Sequence, residues 1–283
     1  MFFITLIKFL GITLNPAGIN QRGRIMKKQP ALFISHGSPM MAIEESKTSL
    51  FLQALGKSLM KPKAIVVFSA HFDRVNDIVI TAGKQPKTIH DFFGFPKPLY
   101  KLQYQAHGSP ELAQQIAKRF QEAGLKPKLD EQQGWDHGVW IPLRLMFPKA
   151  DIPIVQVSIN SSLGASHNYE YGKLLASLRD ENILIIGSGN ISHNLREFFN
   201  PTFGSKQRVT AFATWVNKHL SNGQVAPLLN YLDEAPDVLF NHPTQEHFLP
   251  LIATMGASGT GKAEMIHQDI ERDILAMDAY RFN

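Results

Sequence analysis

The sequence predicts an α/β fold in which helices flank a mainly parallel central sheet, and three observations support this prediction. Four short segments are almost continuously apolar and rich in β-branched residues, helical patterns lie between them, and no internal repeat or low-complexity linker interrupts the chain. Continuous rather than alternating apolar strands are typical of parallel sheets that are covered on both faces. Strands that alternate with helices favour the same architecture.

The predicted strands are the segments ALFIS (31–35), AIVVFSA (64–70), IPIVQVSI (152–159) and ILIIG (183–187). Each is short and bounded by polar or turn-forming residues, as a buried strand is. The tail ERDILAMDAYRFN (271–283) also favours β structure, and we predict that it adds an edge strand.

Three helices are predicted between or after these strands. The clearest is SPELAQQIAKRFQEAG (109–124), where Ser109 can cap the helix, Pro110 suits its first turn and Gly124 can end it. The segments 168–181 and 205–223 show the same apolar spacing. In the second of these, the residues expected to be buried are Val209, Phe212, Val216 and Leu220.

We read residues 27–283 of the 283-residue chain as one domain, because no composition break divides them. Residues 1–26 are a separate N-terminal extension that we expect to be poorly ordered. Their apolar run is too short to span a bilayer, and its positive charge follows the run, which is the reverse of a signal peptide. The protein is therefore predicted to be cytoplasmic.

Composition excludes several classes of function. The net charge is +5, but Lys8, Arg22 and Arg24 supply three of these charges within the extension, which leaves +2 without a long basic run. Nucleic-acid or membrane binding is therefore not expected, since both are usually built on a concentrated patch. The absence of cysteine excludes disulfides and thiolate ligands. Any metal must be held by imidazole, carboxylate or carbonyl groups.

Histidines follow three of the four predicted strands. His36 follows the first strand, His71 the second, and His193 the fourth, after the glycines at 187 and 189. Ligands of open α/β sheets bind beyond the carboxyl ends of the strands, so we expect these imidazoles to share one pocket. Neutral imidazole is the commonest protein metal ligand, and a catalytic metal uses about three protein ligands. The pattern predicts a metal site.

Two further segments supply candidate residues. In GWDHGVWIPL (134–143), His137 precedes a helix predicted to start near Val139, and Asp136 is a candidate to orient His137 or to stabilise its charge. In NHPTQEHFLPL (241–251), Thr244 is predicted to cap a helix whose first turn holds Glu246 and His247. Consecutive helical residues point about 100° apart, so we expect only one of this last pair to bind a metal.

These motifs, in this order, resemble the class III extradiol ring-cleavage dioxygenases. The similarity runs from about residue 30 to the C-terminus and is greatest to the DOPA 4,5-dioxygenase branch of bacteria and plants. The segments that carry it are ALFISHGSP, SAHF, HDFFGFP, YQAHGSPELA, GWDHGVWIPL, GSGNISHNL and HPTQEHFLPL. The resemblance implies a non-haem metal dioxygenase that opens the ring of a catechol with O2 to a semialdehyde product.

The resemblance also implies a ligand set of one divalent metal per chain. His36 and His71 match two of the family's ligands, and the third comes from the HPTQEHF segment. There we assign His247 ahead of Glu246, since the DOPA branch has a histidine where protocatechuate-type relatives have a carboxylate. We expect Fe(II) in the active enzyme, while an all-histidine site also suits Zn²⁺.

His193 matches the family's catalytic acid–base histidine, and it is also a candidate fourth metal ligand. His137 matches a histidine that contacts bound oxygen or substrate. The alternative function is a zinc-dependent hydrolase in which the same cluster activates water. A site that binds a metal or small ligand without catalysis is a further alternative. The sequence does not indicate the oligomeric state.

The substrate-binding residues are not assigned. The segment 90–100 offers Phe92, Phe93, Phe95 and Tyr100 as a wall for an aromatic ring, or as ordinary core. Lys97 and Arg144 are candidates to receive a substrate carboxylate, although structural or solvated roles are the simpler interpretation. The remaining histidines are interpreted as structural or surface residues.

Overall fold

The computed structural model of the protein describes residues 28–200 and 202–283. The extension predicted for residues 1–26 lies outside these described residues. That residues 27–283 form one domain stays a prediction. Among the described helices, none combines the length and apolar character needed to cross a bilayer.

The strands of the described chain, in order, are β1 (Ala31–Ser35), β2 (Ala64–Ser69), β3 (Ile78–Thr81), β4 (Pro127–Asp130), β5 (Ile154–Gln156), β6 (Ile183–Gly189), β7 (Glu264–His267), β8 (Ile270–Glu271), β9 (Leu275–Ala276) and β10 (Ala279–Phe282). The α-helices are α1 (Lys47–Ser58), α2 (Pro110–Glu122), α3 (His137–Met146), α4 (Gly164–Leu175), α5 (Leu195–Phe199), α6 (Ser205–Ser221), α7 (Val225–Leu229), α8 (Tyr231–Glu234), α9 (Val238–Asn241) and α10 (Leu249–Ser258). Short 3-10 helices span Pro39–Ala42, Lys97–Lys101 and Ala176–Glu181.

A six-stranded sheet in the order β5-β2-β6-β1-β10-β7 forms the centre of the described chain. The strands β5, β2, β6 and β1 run parallel, whereas β10 is antiparallel to both β1 and β7. Helices cover both faces, so the predicted α/β class with a mainly parallel sheet is confirmed. The carboxyl ends of β1, β2 and β6 lie side by side, which is where the histidines were expected to meet.

Side chains of the central strands alternate between two apolar cores. Phe33, Phe68 and Ile185 pack in the core that contains α2, α4, α6 and α10. Ile34, Val67 and Ile186 pack in the core that contains α1 and α3. Because both faces are buried, neither face needs polar residues, which explains the continuous apolar runs in the sequence.

The helix predicted at 109–124 is confirmed as α2, together with its boundaries. The Ser109 side chain accepts a hydrogen bond from the Leu112 N–H at 3.3 Å, and Pro110 is the first helical residue. Gly124 follows the helix with a φ of +79°, a conformation that glycine adopts without strain. The helix predicted at 205–223 is also confirmed as α6, and its four predicted core residues are buried.

Three predicted elements differ from the structure. The strand predicted at 152–159 is regular only over β5, because the N–H groups of residues 157–159 bond to carbonyls in three separate segments, at Val67, Val79 and Phe72. The helix predicted at 168–181 starts earlier, as α4, and its last turns are 3-10. The tail forms strand β10 as predicted, but β10 is not an edge strand, because β7 pairs with its outer side.

Strand β6 runs two residues beyond the predicted end at Gly187. A Cβ atom at Gly187 would lie 2.3 Å from the Pro250 carbonyl oxygen, and one at Gly189 would lie 2.2 Å from the His247 carbonyl oxygen. These glycines therefore do not break the strand. They let its end approach α10 and the turn before it, which holds His247 close to the sheet.

Candidate metal centre

The three strand-end histidines reach the same edge of the sheet. His36 directly follows β1, His71 lies two residues after the last residue of β2, and His193 lies four residues after the end of β6. The register of the parallel strands brings these ends together, since Ser35 pairs with Gly189 and Ser69 pairs with Ser188. The predicted convergence of the strand ends is thus observed.

The two other predicted segments complete the cluster, with local differences. His137 is itself the first residue of α3, two residues before the predicted start at Val139. The segment at 244–248 is a turn rather than a first helical turn, and α10 begins only at Leu249. Thr244 therefore caps no helix, and its hydroxyl donates to the Glu246 carboxylate at 2.9 Å.

His36, His71 and His247 form the innermost group of the cluster. Their ligand nitrogens all lie within 4.8 Å of one another. His36 Nε2 and His71 Nε2 are 3.1 Å apart. Two nitrogens bound about 2.0–2.1 Å from one ion, at tetrahedral or octahedral angles, lie roughly 2.8–3.4 Å apart. The spacing of this pair therefore fits two ligands of a single metal.

The hydrogen bonds of His36 and His247 occupy Nδ1 of each ring and leave Nε2 of each ring for this centre. The Ser188 hydroxyl donates to the Gly138 carbonyl, so it accepts from His36 Nδ1 at 3.1 Å. His247 Nδ1 donates to Glu246 Oε1 at 2.9 Å, and its Nε2 is buried without a partner. An unpartnered buried acceptor is costly unless something binds it. The donor set thus fits a divalent metal bound by imidazole nitrogens.

Burial keeps these imidazoles neutral, which is the form that binds metals. It lowers the pKa of His36 and of His247 well below the usual value, and the neighbouring imidazoles lower both further. Burial and His137 likewise lower the pKa of His71 to about 3, although the Asp91 carboxylate opposes them.

His137 is oriented by Asp91 and not by the adjacent Asp136. Asp91 Oδ2 lies 3.0 Å from His137 Nδ1, and Asp91 Oδ1 accepts from the His137 backbone N–H at 2.9 Å. Asp136 instead accepts from Ser69 Oγ at 2.7 Å and from Gln156 Nε2 at 2.6 Å. The expectation that Asp136 orients His137 is therefore wrong, because its two carboxylate oxygens bond to Ser69 and Gln156 and not to the ring.

His193 stacks on His247 rather than joining the innermost group. Their ring centroids are 3.4 Å apart and their planes differ by 6°. A second group of possible ligand atoms contains His193, Glu246 and His247. Burial lowers the pKa of His193 to about 4, although the Glu246 carboxylate raises it. The two predicted roles of His193, acid–base group and fourth ligand, stay predictions.

Asp91 and Ser188 were missed in the sequence. Asp91 lies in the HDFFGFP motif as its only carboxylate, and this isolated charge among aromatic residues was an available signal. Ser188 had no comparable signal, since a serine between two glycines is ordinary in a loop. His242, interpreted as structural, is buried and donates from Nε2 to the Ile191 carbonyl at 2.8 Å.

Comparison with known proteins identifies the family. The family model described as the catalytic LigB subunit of aromatic ring-opening dioxygenase matches residues 30–283. The chain belongs to this family. The predicted resemblance is confirmed, and the LigB family is a family of metal-dependent enzymes that act on an aromatic substrate with O2.

Relatives of this LigB-family chain cover most of its length. A 4,5-DOPA dioxygenase extradiol from Beta vulgaris is 42% identical over 88% of this chain and 95% of its own. One of the same name from Escherichia coli K12 is 45% identical over 81% of this chain and 85% of its own. The predicted extradiol dioxygenase class is thereby confirmed.

A solved structure agrees with this assignment. The crystal structure of an uncharacterized protein from Escherichia coli K12 matches with a TM-score of 0.74 and 36% identity, over 90% of this chain and all of that one. The α/β architecture is therefore shared with an experimentally determined relative.

Proposed function

We propose that the enzyme opens the ring of a DOPA-like or caffeate-like catechol next to the diol, with O2, to a semialdehyde. The convergence of His36, His71 and His247 on one centre carries the proposal. The substrate class is supported by the relatives named 4,5-DOPA dioxygenase extradiol, which include a third one, from Portulaca grandiflora, at 36% identity. The cytoplasmic location stays a prediction from the sequence.

One divalent metal per chain would be held by His36, His71 and His247. Fe(II) is the proposed ion of the active enzyme, because Zn²⁺ suits three imidazoles equally well but has no accessible redox change. When bound, the metal supplies the redox chemistry that dioxygenation requires and makes a catechol hydroxyl more acidic. Zinc in a purified sample would occupy the same nitrogens.

His193 is the proposed proton acceptor for the catechol hydroxyl. With a pKa lowered to about 4 by burial, its ring is neutral at physiological pH and can take up a proton at nitrogen. The Glu246 carboxylate beside His247 stabilises the charged ring that results. The same ring can later return the proton to an oxygen that becomes negative as the ring opens.

We propose that His137 and the aromatic segment 90–100 line one side of the substrate site. The Phe92 ring stands edge-on to the His137 ring, with their centroids 5.7 Å apart. Its centroid also lies 5.3 Å from those of the Phe95 and Tyr100 rings. Phe93 points to solvent and is 92% exposed, so we leave it out of the proposed wall.

The two candidate partners of a substrate carboxylate receive no role in this proposal. Arg144 donates to the Ala42 carbonyl at 3.2 Å and lies in the last turn of α3, away from His137. Lys97 lies in a 3-10 helix and makes no ion pair with a residue of the cluster within the described parts of the chain.

The test is anaerobic loading of the metal-free protein with Fe(II) or with Zn²⁺, followed by air and a panel of catechols that includes L-DOPA and caffeate. We expect oxygen uptake and a yellow product with Fe(II) alone. Turnover by the zinc form without oxygen consumption would instead favour the hydrolase. Family membership disfavours that alternative, as does Glu246, whose carboxylate is already bonded to His247 and Thr244.

A further inference from the structure

We propose that Asp91 is a positioning residue that fixes His71 and His137 together, with Nδ1 of each ring turned to its carboxylate and Nε2 left for the centre. This inference rests on the proposed function, because it concerns how that site is oriented. The carboxylate contacts one ring of the innermost group and one ring outside it.

Three contacts hold the Asp91 carboxylate in place. Oδ1 accepts from the backbone N–H of His137 at 2.9 Å, which satisfies an orphan donor in the first turn of α3. Oδ2 lies 3.0 Å from His137 Nδ1 and 3.5 Å from His71 Nδ1. Asp136, the residue at the N-cap of α3, makes no capping bond with its side chain. Asp91 thus fixes the start of the helix and both rings at once.

The chemistry of the carboxylate decides which ring nitrogen carries the proton. A carboxylate only accepts, so the proposal places the proton of each facing ring on Nδ1; His137 Nδ1 is buried and has no other acceptor among the described residues. In a neutral ring, Nε2 then carries the lone pair. For His71 this is the atom that lies 3.1 Å from His36 Nε2.

The other two rings of the innermost group are held by different partners. The Ser188 hydroxyl accepts from His36 Nδ1, and the Glu246 carboxylate accepts from His247 Nδ1. Each of these partners serves one ring. Asp91 differs because its carboxylate couples His71 to His137, whose ring centroids lie only 3.9 Å apart.

A second metal held by His71, Asp91 and His137 is the competing interpretation, since their ligand atoms also lie within 4.8 Å of one another. It would require His71 to bind an ion through each of its two nitrogens. A neutral imidazole has only one lone-pair nitrogen, so the acceptor role of Asp91 is the simpler account. Metal stoichiometry separates the two interpretations.

The first test replaces Asp91 by asparagine, which keeps the size of the side chain and one oxygen for the His137 N–H. Its NH2 group faces Nδ1–H donors, so the rings must turn or move their protons to Nε2. We expect Zn²⁺ affinity, measured by chelator competition, to fall about 10–100-fold. With saturating Fe(II), kcat should fall by a similar factor while KM for the catechol changes little.

The matched control is Asp73→Asn. Asp73 is another partly buried aspartate beyond the end of β2, and its carboxylate accepts from the backbone N–H and hydroxyl of Ser161. It contacts no histidine among the described residues. This variant should lose stability without the loss of zinc affinity. Equal losses of zinc affinity in both variants would reduce Asp91 to a general structural role and overturn the proposal.

The second test examines the protonated ring nitrogens directly. Nitrogen-15 NMR of the unchanged, zinc-loaded protein should report a proton on Nδ1 and none on Nε2 for both His71 and His137. A proton on Nε2 of His137 would overturn the proposal, as would two zinc ions per chain.

In Asp91→Ala, added formate should restore part of the zinc affinity, because the Asp91 side chain is 24% exposed and solvent can reach the gap. Zinc affinity, zinc stoichiometry and the NMR signals need no turnover, so they stand apart from a failure of the proposed function, which would show as no oxygen uptake with any catechol.

Discussion

His193 lies flat on His247, with ring centroids 3.4 Å apart and planes 6° from parallel. The proposed proton acceptor therefore rests on a proposed metal ligand. Its removal has two separable effects, the loss of a proton carrier and the loss of a surface that holds the ligand ring. Substitutions that keep or remove an aromatic ring at position 193 separate these effects.

Replacing His193 by phenylalanine should keep the stack and remove the proton acceptor. We expect near-normal zinc content, measured by elemental analysis, and a kcat lowered about 10²–10⁴-fold, the usual cost of losing an acid–base group. His193→Ala removes the stack as well, so its zinc affinity should fall further than that of the phenylalanine variant. Full activity in either variant would exclude His193 as the proton acceptor.

Replacing His247 by alanine should abolish metal binding, whereas Glu246→Gln should weaken it about 10–100-fold. The reason is that His247 offers an unpartnered Nε2 to the centre, while Glu246 reaches it only through the Nδ1 of that ring. Zinc titration of both purified variants measures the difference. The reverse order of affinities would make Glu246 the ligand.

Replacing Phe92 by leucine should raise KM for a catechol more than it lowers kcat. Phe92 stands edge-on to His137, and its loss removes aromatic surface without touching the proposed ligands. Aromatic contacts of this kind are worth about 0.5–1.5 kcal/mol, so a rise in KM of about 2–12-fold is expected. Phe93→Leu is the matched control, because this neighbouring ring is exposed, and its steady-state kinetics should be unchanged.

The metal-free protein should lose stability as the pH falls from 7 to 5. Burial lowers the pKa of six histidines. The pKa is about 3 for His71 and about 4 for His193 and His242, and it is also lowered for His36, His247 and His267, while the unfolded chain protonates near 6.5. The unfolded state then binds more protons than the folded state, which lowers the free energy of unfolding. Each such histidine lowers the free energy of unfolding by about 1.4 kcal/mol for every pH unit below 6.5.

Asp278 opposes this trend, since burial raises its pKa to about 7 and it gains a proton in the folded state over the same range. Burial also raises the pKa of Asp136 and Glu271, but three carboxyl groups do not offset six histidines, so the net slope keeps its sign. Urea unfolding at several pH values measures it. His242→Gln should reduce the slope by one histidine, whereas exchange of the exposed His167 should not. A slope of zero in the metal-free protein would contradict the assignment.

The sequence was sufficient to predict those parts of the fold that depend on local pattern. Continuous apolar runs identified β1, β2 and β6, and capping residues identified α2. Strand polarity then predicted that His36, His71 and His193 meet at one edge, because parallel strands share the direction of their ends.

The remaining features depend on contacts between distant segments. The acceptor for His137 lies 46 residues earlier in the chain, at Asp91, and the adjacent Asp136 was a wrong candidate because its side chain enters a separate buried network. The role of Gly189 was clear only once the His247 carbonyl was seen against it. The tail was wrongly predicted to be an edge strand, because no sequence pattern in β7 or β10 indicates that these two strands pair.

The place of β10 within the sheet has a consequence for biosynthesis. Ala31 pairs with Phe282 on one side and with Ile185 on the other, so the strand that leads into His36 is completed by segments that the ribosome makes much later. Until residue 282 has emerged, β1 lacks one of its two neighbours, and non-local pairing of this kind forms slowly. We therefore expect the position of His36 to become fixed only late in folding, once residues 279–282 have paired with β1.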